Sequence, residues 1–481
     1  MYDVIIIGAG VVGAHIARAL SRYRLRILLL DKATDVGDGT TKANTAIVHA
    51  GYDAKPGSNK ARLNVAGNAL FEQVCGELDV EFDRCGTYVV GVSEEDRATL
   101  EDLYRRGRQN GIRGLSLVGG PEMRSREPGI TESVTGALFA ATGGLVDPFA
   151  LCYAAAENAV GNGAELLLET EVQGFLREDD AVVGVRTNRG EFRSRWTVIS
   201  AGVHADDLMR AAGLDGFTIT PRKGEYFVLD RAARAQVRNV LFPCPTPVSK
   251  GILVTPTIHG NVMLGPTATD IDDKENLSTT PEGLNEVLTG ALKLIPGLES
   301  RQIIRSFTGL RASGSTGDFM IDAPKERPGL LILAGIESPG LTASPAIALE
   351  VVEMLREAGL ELQERAEYVP LRRGIPRFSQ LSPAEQEALI ARDPRYGRII
   401  CRCETVTEGE VVAACHGAIP ARTYDALKRR TRVGTGRCQG GFDLPLVLEI
   451  MARELGLSPL EITQKGGASN IVVRRTKEVA E

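Results

Sequence analysis

The strongest pattern of apolar and polar positions lies at the start of the chain. Val4 to Ile7 form a continuous apolar run, followed by Gly8-Ala9-Gly10-Val11-Val12-Gly13, a segment of helical period, and a second apolar run, Ile27 to Leu30, that ends at Asp31. Continuous apolar runs bounded by turn signals predict strands buried on both faces. The stretch therefore reads as strand, glycine turn, helix, strand. Gly8 permits the tight turn, Gly10 lets backbone approach a pyrophosphate, and Gly13 lets the helix lie against the sheet. The helix start offers N–H groups to an anion, and Asp31 is placed to accept hydrogen bonds from a ribose. This is the pattern of a dinucleotide site, but by itself it does not choose between FAD and NAD.

Further along, apolar spacing predicts a helix from Ser58 to about Leu78 and a more polar one from Glu94 to Asn110, with a strand from Phe82 to Val92 between them. Asp147-Pro148 predicts a helix start, and Gly161-Asn162-Gly163 its end. Closely spaced strands follow at Glu165–Thr170, Val172–Leu176, Ala181–Thr187 and Trp196–Ala201, then at Thr218–Asp230, Gly251–Pro256 and Asn261–Pro266, with His259 in the last turn. A strand-rich block between two mixed blocks predicts a sheet domain inserted into the nucleotide-binding one. Leu330 to Leu333 and the GIESPGLTASPAIALEVVEML segment restore strand, glycine turn and helix. Gly359 to about Ile399 is charged and reads as a linker with one short helix, ahead of a final unit from Ile400 to about Asn470.

Composition narrows the class. The chain has 481 residues, 43% hydrophobic and 25% charged, which predicts a globular protein of two or three domains. A net charge of −6 gives no basic footprint for nucleic acid. No apolar run is long enough for a membrane span, and the opening run lacks a basic leader, so a cytoplasmic location is expected. Of the eight cysteines, Cys75, Cys85, Cys152 and Cys244 are scattered and read as buried thiols, whereas Cys401, Cys403, Cys415 and Cys438 crowd the tail. Such clustering in a reducing compartment points to metal or redox chemistry before disulfides.

Taken together, GAGVVG, TTKANTAIVHAGYDAKPGSNKARLNVAGN, GGLVDP, PRKGEYFVLD, GLRA and GIESPGLTASPAIA resemble the FAD-dependent oxidoreductases of the D-amino-acid-oxidase superfamily. Within it they are most similar to the large subunit of anaerobic glycerol-3-phosphate dehydrogenases. The resemblance implies an α/β fold with a Rossmann-like FAD-binding domain (1–80, 146–215 and 306–360), an inserted, mainly antiparallel substrate domain (81–145 and 216–305), a linker (361–399) and a small helical domain (400–470). It implies FAD held by Gly8, Gly10, Gly13 and Asp31, with Lys32, Thr41, Lys42 and Asn44 near the diphosphate and ribityl chain. Val172 is expected to pair with the adenine through its backbone, Ala201-Gly202 to lie beside the nucleotide, and Gly340-Leu341-Thr342 to meet the isoalloxazine. For an anionic substrate, Arg311 is the first cationic candidate, with Lys223 and Arg222 next. Hydride transfer from a carbinol carbon leaves a hydroxyl proton that histidine accepts near neutral pH, and His49 is the first candidate base, with His259 in reserve.

The tail, Cys401-Arg402-Cys403 followed after thirty-four residues by Cys438-Gln439-Gly440-Gly441-Phe442-Asp443, resembles the [2Fe–2S]-binding domain of bacterioferritin-associated ferredoxin. The resemblance implies Cys401, Cys403 and Cys438 as ligands and places Asp443 where a fourth cysteine is expected. Three readings stay open: oxygen ligation of a cluster by Asp443, an empty or zinc site with Asp443 or His416 as the other donor, or a domain that keeps only a packing role. Asp443 could equally cap the helix that follows it, and Thr407 with Glu410 forms the pattern of a capping box. The function expected is oxidation of glycerol 3-phosphate by FAD, with electrons passed to a partner, in relatives a second flavoprotein and a small accessory subunit, through which the chain could reach a membrane. The alternatives are a 2-hydroxy-acid or amino-acid oxidase, for instance on L-2-hydroxyglutarate, and a non-catalytic electron-transfer or scaffold subunit.

Overall fold

A computed structural model describes residues 1–245 and 251–477. Its first sheet is built on β1 (Tyr2–Ile7) and β2 (Ile27–Leu30), joined by α1 (Val11–Ser21). β1 lies between β2 and the strand Gly190–Ile199, parallel to both, and β2 pairs in parallel with Glu165–Leu167. Leu330–Ala334 extends the parallel set on the other side of Gly190–Ile199, while Val172–Glu178 and Ala181–Thr187 form an antiparallel flap at the edge. All four β2 side chains and Val4 to Ile7 are buried, because helices cover one face of the sheet while the antiparallel strand Ala181–Thr187, the short helix Ala205–Ala211 and residues of the second sheet cover the other.

The helix Pro148–Gly161 is capped by Asp147, whose carboxylate accepts from the N–H groups of Phe149 and Ala150. It packs on α1 together with the helix Gly340–Glu357. The helix Asn59–Leu78, capped by Ser58, crosses Gly340–Glu357 so closely that a Cβ at Gly67 would collide with the Thr342 carbonyl oxygen.

The second sheet has nine strands and is antiparallel except where Val240–Pro243 runs alongside Thr87–Gly91. The expected strand 82–92 is broken into Phe82–Asp83, which joins a small separate sheet, and Thr87–Gly91. Its longest pairing is between Ile219–Leu229 and Ile303–Gly314. Residues 306–314 therefore belong to the inserted sheet, and the expected boundary at 305 moves to the end of that strand. The reason is register: apart from one irregularity between Val228 and Leu229, Ile303–Gly314 stays paired from Leu229 to Ile219 and turns back toward the first sheet only after Gly314.

The tail is a helical unit, with helices Glu408–Cys415, Tyr424–Thr431 and Leu444–Leu455 around a core that includes Val411, Leu427, Val447 and Met451. Thr407 and Glu410 form the reciprocal capping box the sequence predicts. The unit is pinned to the nucleotide-binding domain. Arg430 makes two 2.8 Å bonds to Asp35, and Arg429 bonds Asp35 and Asp38 at 2.9 Å each. Burial works against the Asp35 charge, but Arg430 and Arg429 outweigh it and hold the carboxyl below its ordinary range. Among the described residues no helix is long and apolar enough to cross a membrane. Of the scattered thiols, Cys75 and Cys152 are buried, but Cys85 and Cys244 are only partly so, lying at the margins of small apolar clusters.

Candidate active site

A cavity of about 1960 Å³ runs between the two sheets. That is roughly twice the size of a pocket for one small ligand and leaves room for a dinucleotide with a small substrate beside it. Its first wall is the glycine turn. Gly8 has φ +104°, and a Cβ there would strike the Ser200 carbonyl oxygen; a Cβ at Gly13 would strike the Gly8 carbonyl oxygen. Gly13 therefore works beneath the cavity, while Gly8 and Gly10 line it. The Asp31 carboxylate accepts from the N–H groups of Ala9 (2.7 Å) and Ala33 (2.9 Å), bracing the turn while it faces the cavity. Burial pushes the Asp31 carboxyl above the ordinary carboxylate range, against the pull of these two N–H groups.

The loop after β2 forms the next wall. Thr41 Oγ1 accepts from the Val11 N–H at 3.0 Å, so it closes one of the open donors at the start of α1. Asn44 donates to the carbonyls of Thr40 and Thr41 and accepts from Ala46, which holds this loop in a fixed shape. Lys42 pairs with Asp38 at 2.7 Å, and Lys32 with Glu275 at 2.9 Å, a contact that ties the segment before the helix Pro281–Leu294 across this end of the cavity. Val172, Ala201, Gly202, Gly340 and Leu341 also line the cavity. Thr342 does not. It is fully buried behind the wall, where its Oγ1 accepts the His49 N–H at 2.9 Å, because the helix Gly340–Glu357 turns it toward the neighbouring strand Ile47–Val48.

His49 faces the cavity. Its carbonyl accepts from Asn64 and Asn68, its Nε2 lies 3.3 Å from Ser338 Oγ, and its ring packs at 5.9 Å from Phe242. Backbone and ring are thus anchored from three elements. Across the cavity, Arg222 and Arg311 stand opposite one another in the Ile219–Leu229/Ile303–Gly314 ladder and both reach the cavity. Arg311 donates to the carbonyls of Thr267 (2.6 Å), Arg222 (3.3 Å) and Lys223 (3.4 Å). Burial lowers the Arg311 pKa, with Tyr226 and Glu337 opposing it. Arg222 makes a bidentate pair with Asp270 at 2.7 and 3.0 Å.

Two expected candidates lie elsewhere. Lys223 is buried on the opposite face of the strand, against Glu225, Asn276 and Ser278, because adjacent strand residues point to opposite sides. His259 sits in a buried charge cluster with Asp147 (3.1 Å), Glu81 (3.2 Å) and Arg377, where the substrate domain meets the nucleotide-binding domain and the linker. Burial would raise the Asp147 carboxyl, but His259 and Arg377 hold it well below its usual range. This network leaves His259 outside the cavity wall.

The structure adds wall residues to those named from sequence: Lys60, which bonds Glu337 at 2.7 Å, Tyr226, Phe242, Glu337 and Ser338. Glu337 and Ser338 were signalled only by the glycine-rich turn in which they lie. Tyr226 stands two and four residues from Gly224 and Arg222 on one strand face, a period that the sequence displays. Lys465 to Gly467 of the tail also reach the cavity, and Thr34 Oγ1 donates to the Lys465 carbonyl at 3.0 Å.

In the tail, Cys401, Cys403, Cys438 and Asp443 gather beside one another. Cys403 and Cys438 have sulfurs 3.2 Å apart, and Asp443 faces the Cys401 thiol, which burial and this carboxylate push up to about 12. His416 is instead exposed and paired with Glu454 at 2.8 Å, so it is not a donor to this site. No three acids, histidines or cysteines among the described residues converge on one metal ion.

The cavity and the tail site define the class. Residues 3–354 match the family described as DAO, FAD dependent oxidoreductase, and residues 399–453 match the BFD-like [2Fe-2S] binding domain. The chain is 44% identical to the glycerol 3-phosphate dehydrogenase of Caloramator mitchellensis, with 99% of each chain covered. It is 31% identical to the glycerol 3-phosphate oxidase of Mycoplasma genitalium, over 76% of this chain and 97% of that one. Among solved structures, the FAD-bound L-alpha-glycerophosphate oxidase of Mycoplasma pneumoniae superposes with a TM-score of 0.74 at 29% identity, covering 77% of this chain and 98% of that one. The chain belongs to the FAD-dependent oxidoreductase family of the D-amino-acid-oxidase type. It is an FAD-dependent oxidoreductase with a C-terminal domain of the [2Fe–2S]-binding kind.

Proposed function

We propose that the protein oxidises glycerol 3-phosphate to dihydroxyacetone phosphate. The observation that carries this reading is the cross-strand pair Arg222 and Arg311 on the wall of the cavity that also holds His49 and the start of the helix Gly340–Glu357. A phosphate monoester asks for several cationic donors, and two arginines on one face supply that charge, Arg222 with its full fork once it leaves Asp270. Bound FAD supplies a hydride acceptor at N5. The chain does the rest: the glycine turn and the Thr41 loop hold the dinucleotide, the arginine pair orients the substrate, and His49 takes the hydroxyl proton as the carbinol C–H bond breaks. The N–H groups at the start of the helix Gly340–Glu357 favour negative charge next to them.

The electrons then leave the chain through the tail domain to a partner subunit. Support comes from the distribution of the tail: the relative named a dehydrogenase aligns over 99% of this chain, the relative named an oxidase over only 76%. A partner that binds a membrane would place the protein at its cytoplasmic face.

The test is flavin bleaching under argon with glycerol 3-phosphate, L-2-hydroxyglutarate, sarcosine and proline. Rapid bleaching by glycerol 3-phosphate alone supports the assignment, and faster bleaching by 2-hydroxyglutarate moves it to the hydroxy-acid enzymes. Bleaching by none of the four would count against glycerol 3-phosphate and support an electron-transfer or scaffold role.

A further inference from the structure

The tail site contains a buried acid whose charge the protein leaves unanswered. Asp443 stands at the N-cap position of the helix Leu444–Leu455, yet its backbone is helical (φ −100°, ψ −15°) and its side chain makes no capping bond. Both carboxylate oxygens are buried and receive no N–H or O–H donor among the described residues; the Cys401 thiol, a weak donor, is turned toward them. The residue is 2% exposed. The Tyr424 hydroxyl is also buried and unpartnered, and it is held against Gly434 and Gly440, where any Cβ would collide with it. A Cβ at Gly440 would lie 3.8 Å from Asp443 Oδ1, so phenol and carboxylate border the same glycine.

Burying a carboxylate without partners costs several kcal/mol or more, and native folds rarely leave such a group without a ligand to explain it. The surroundings describe that ligand. The N–H groups of Gly434 and Glu404 turn toward the Cys401 sulfur, those of Gly440 and Phe442 toward Cys438, and that of Cys438 toward Cys403. Backbone donors aimed at sulfur stabilise thiolates and tune iron–sulfur centres. The side chains fall into two pairs, Cys403 with Cys438 and Cys401 with Asp443. Pairs suit a centre of two irons, each taking two protein ligands, and do not suit a single ion that needs three or four donors at one point. Lys428, whose Nζ lies 5.5 Å from the Tyr424 ring centre, places a cation next to the extra negative charge.

We propose that Asp443 is an oxygen ligand of a [2Fe–2S] cluster completed by Cys401, Cys403 and Cys438, and that the Tyr424 phenol donates a hydrogen bond to the carboxylate oxygen turned away from iron. Asp443 and Tyr424 then have the partners the protein alone does not give them. The assignment is independent of which organic substrate the flavin site takes.

The test uses the full FAD-loaded chain, reconstituted with iron and sulfide under argon. Wild type should hold about two irons and two sulfides per chain, and show an electron paramagnetic resonance signal after reduction with dithionite. Asp443→Ala should lose the cluster while keeping FAD and its thermal transition. Asp443→Cys should keep the cluster with changed g values. Tyr424→Phe should keep iron and sulfide but shift the cluster midpoint to lower potential, because a donor to a ligand favours the reduced state. The proposal fails if wild type takes up no iron or takes one zinc instead, or if Asp443→Ala retains the wild-type signal. An unchanged midpoint in Tyr424→Phe overturns the role of the phenol.

Discussion

The two ends of the chain treat polar groups in opposite ways. At the N-terminal turn, the Asp31 oxygens accept from Ala9 and Ala33, and Thr41 accepts from Val11, so the wall is already formed by the protein's own bonds. At the tail, no N–H or O–H donor among the described residues reaches the Asp443 oxygens, which face the weakly donating Cys401 thiol, and the Tyr424 hydroxyl has no partner. The first site is a preformed cradle whose shape comes from the backbone, and a ligand adds contacts to it. The second is a buried cluster in which an acid has been taken from water with no strong protein donor in its place. The comparison teaches that a satisfied site and an unsatisfied one can both be binding sites, the one recognised by shape and the other by what it lacks.

Breaking the cradle should have the largest effect. Gly13→Val places side-chain atoms against the Gly8 carbonyl and should abolish FAD retention, read from the absorbance of the purified protein. Next is the clamp that holds the two ends together. Arg430→Met removes two of the three arginine bonds to the buried Asp35 carboxylate, leaving only that of Arg429, and should destabilise the tail's docking by up to about 3 kcal/mol, seen as a separate early thermal transition. The same clamp gives an acid limit. Because the folded Asp35 carboxyl lies below its ordinary range, its stabilisation is complete above about pH 4 and disappears as pH falls through the folded value. Wild type should therefore undock on acidification below that point, and Arg430→Met should show a weaker dependence, the part that Arg429 still provides.

His49→Ala leaves the cradle whole and should slow flavin reduction by about a hundredfold or more with FAD still bound; an unchanged rate removes His49 as the base. Asp270→Asn releases Arg222 from its bidentate partner and should lower the KM for glycerol 3-phosphate by about threefold, through an effect of under about 1 kcal/mol at this exposed pair. Smallest in its effect on substrate binding is Lys223→Met, which should leave KM within about twofold of wild type because Lys223 lies on the strand face turned away from the cavity, although losing the partner of the buried Glu225 should lower stability. A large rise in KM would place Lys223 in the substrate's path after all.

What was legible in the sequence was what short-range physics dictates. Glycines that cannot carry a Cβ, apolar runs that must be buried, the capping box at Thr407 and the strand-rich insertion all declare themselves within a few residues of each other, and the structure has them. The face of a strand is also local: Arg222 and Lys223, being adjacent, had to diverge. What the tertiary structure decided were the contacts between residues far apart in the chain. Arg430 meets Asp35 across 395 residues, and His259 is drawn into a charge cluster with Asp147, 112 residues away, for which no local pattern prepares. Asp443 shows the division most plainly. Its sequence position offers it to the following helix as a cap, but the packing of Tyr424, Gly434 and Gly440 turns it inward. Local sequence determines which bonds a residue is able to make, and only the packed chain determines which of them remain within reach once water has been removed.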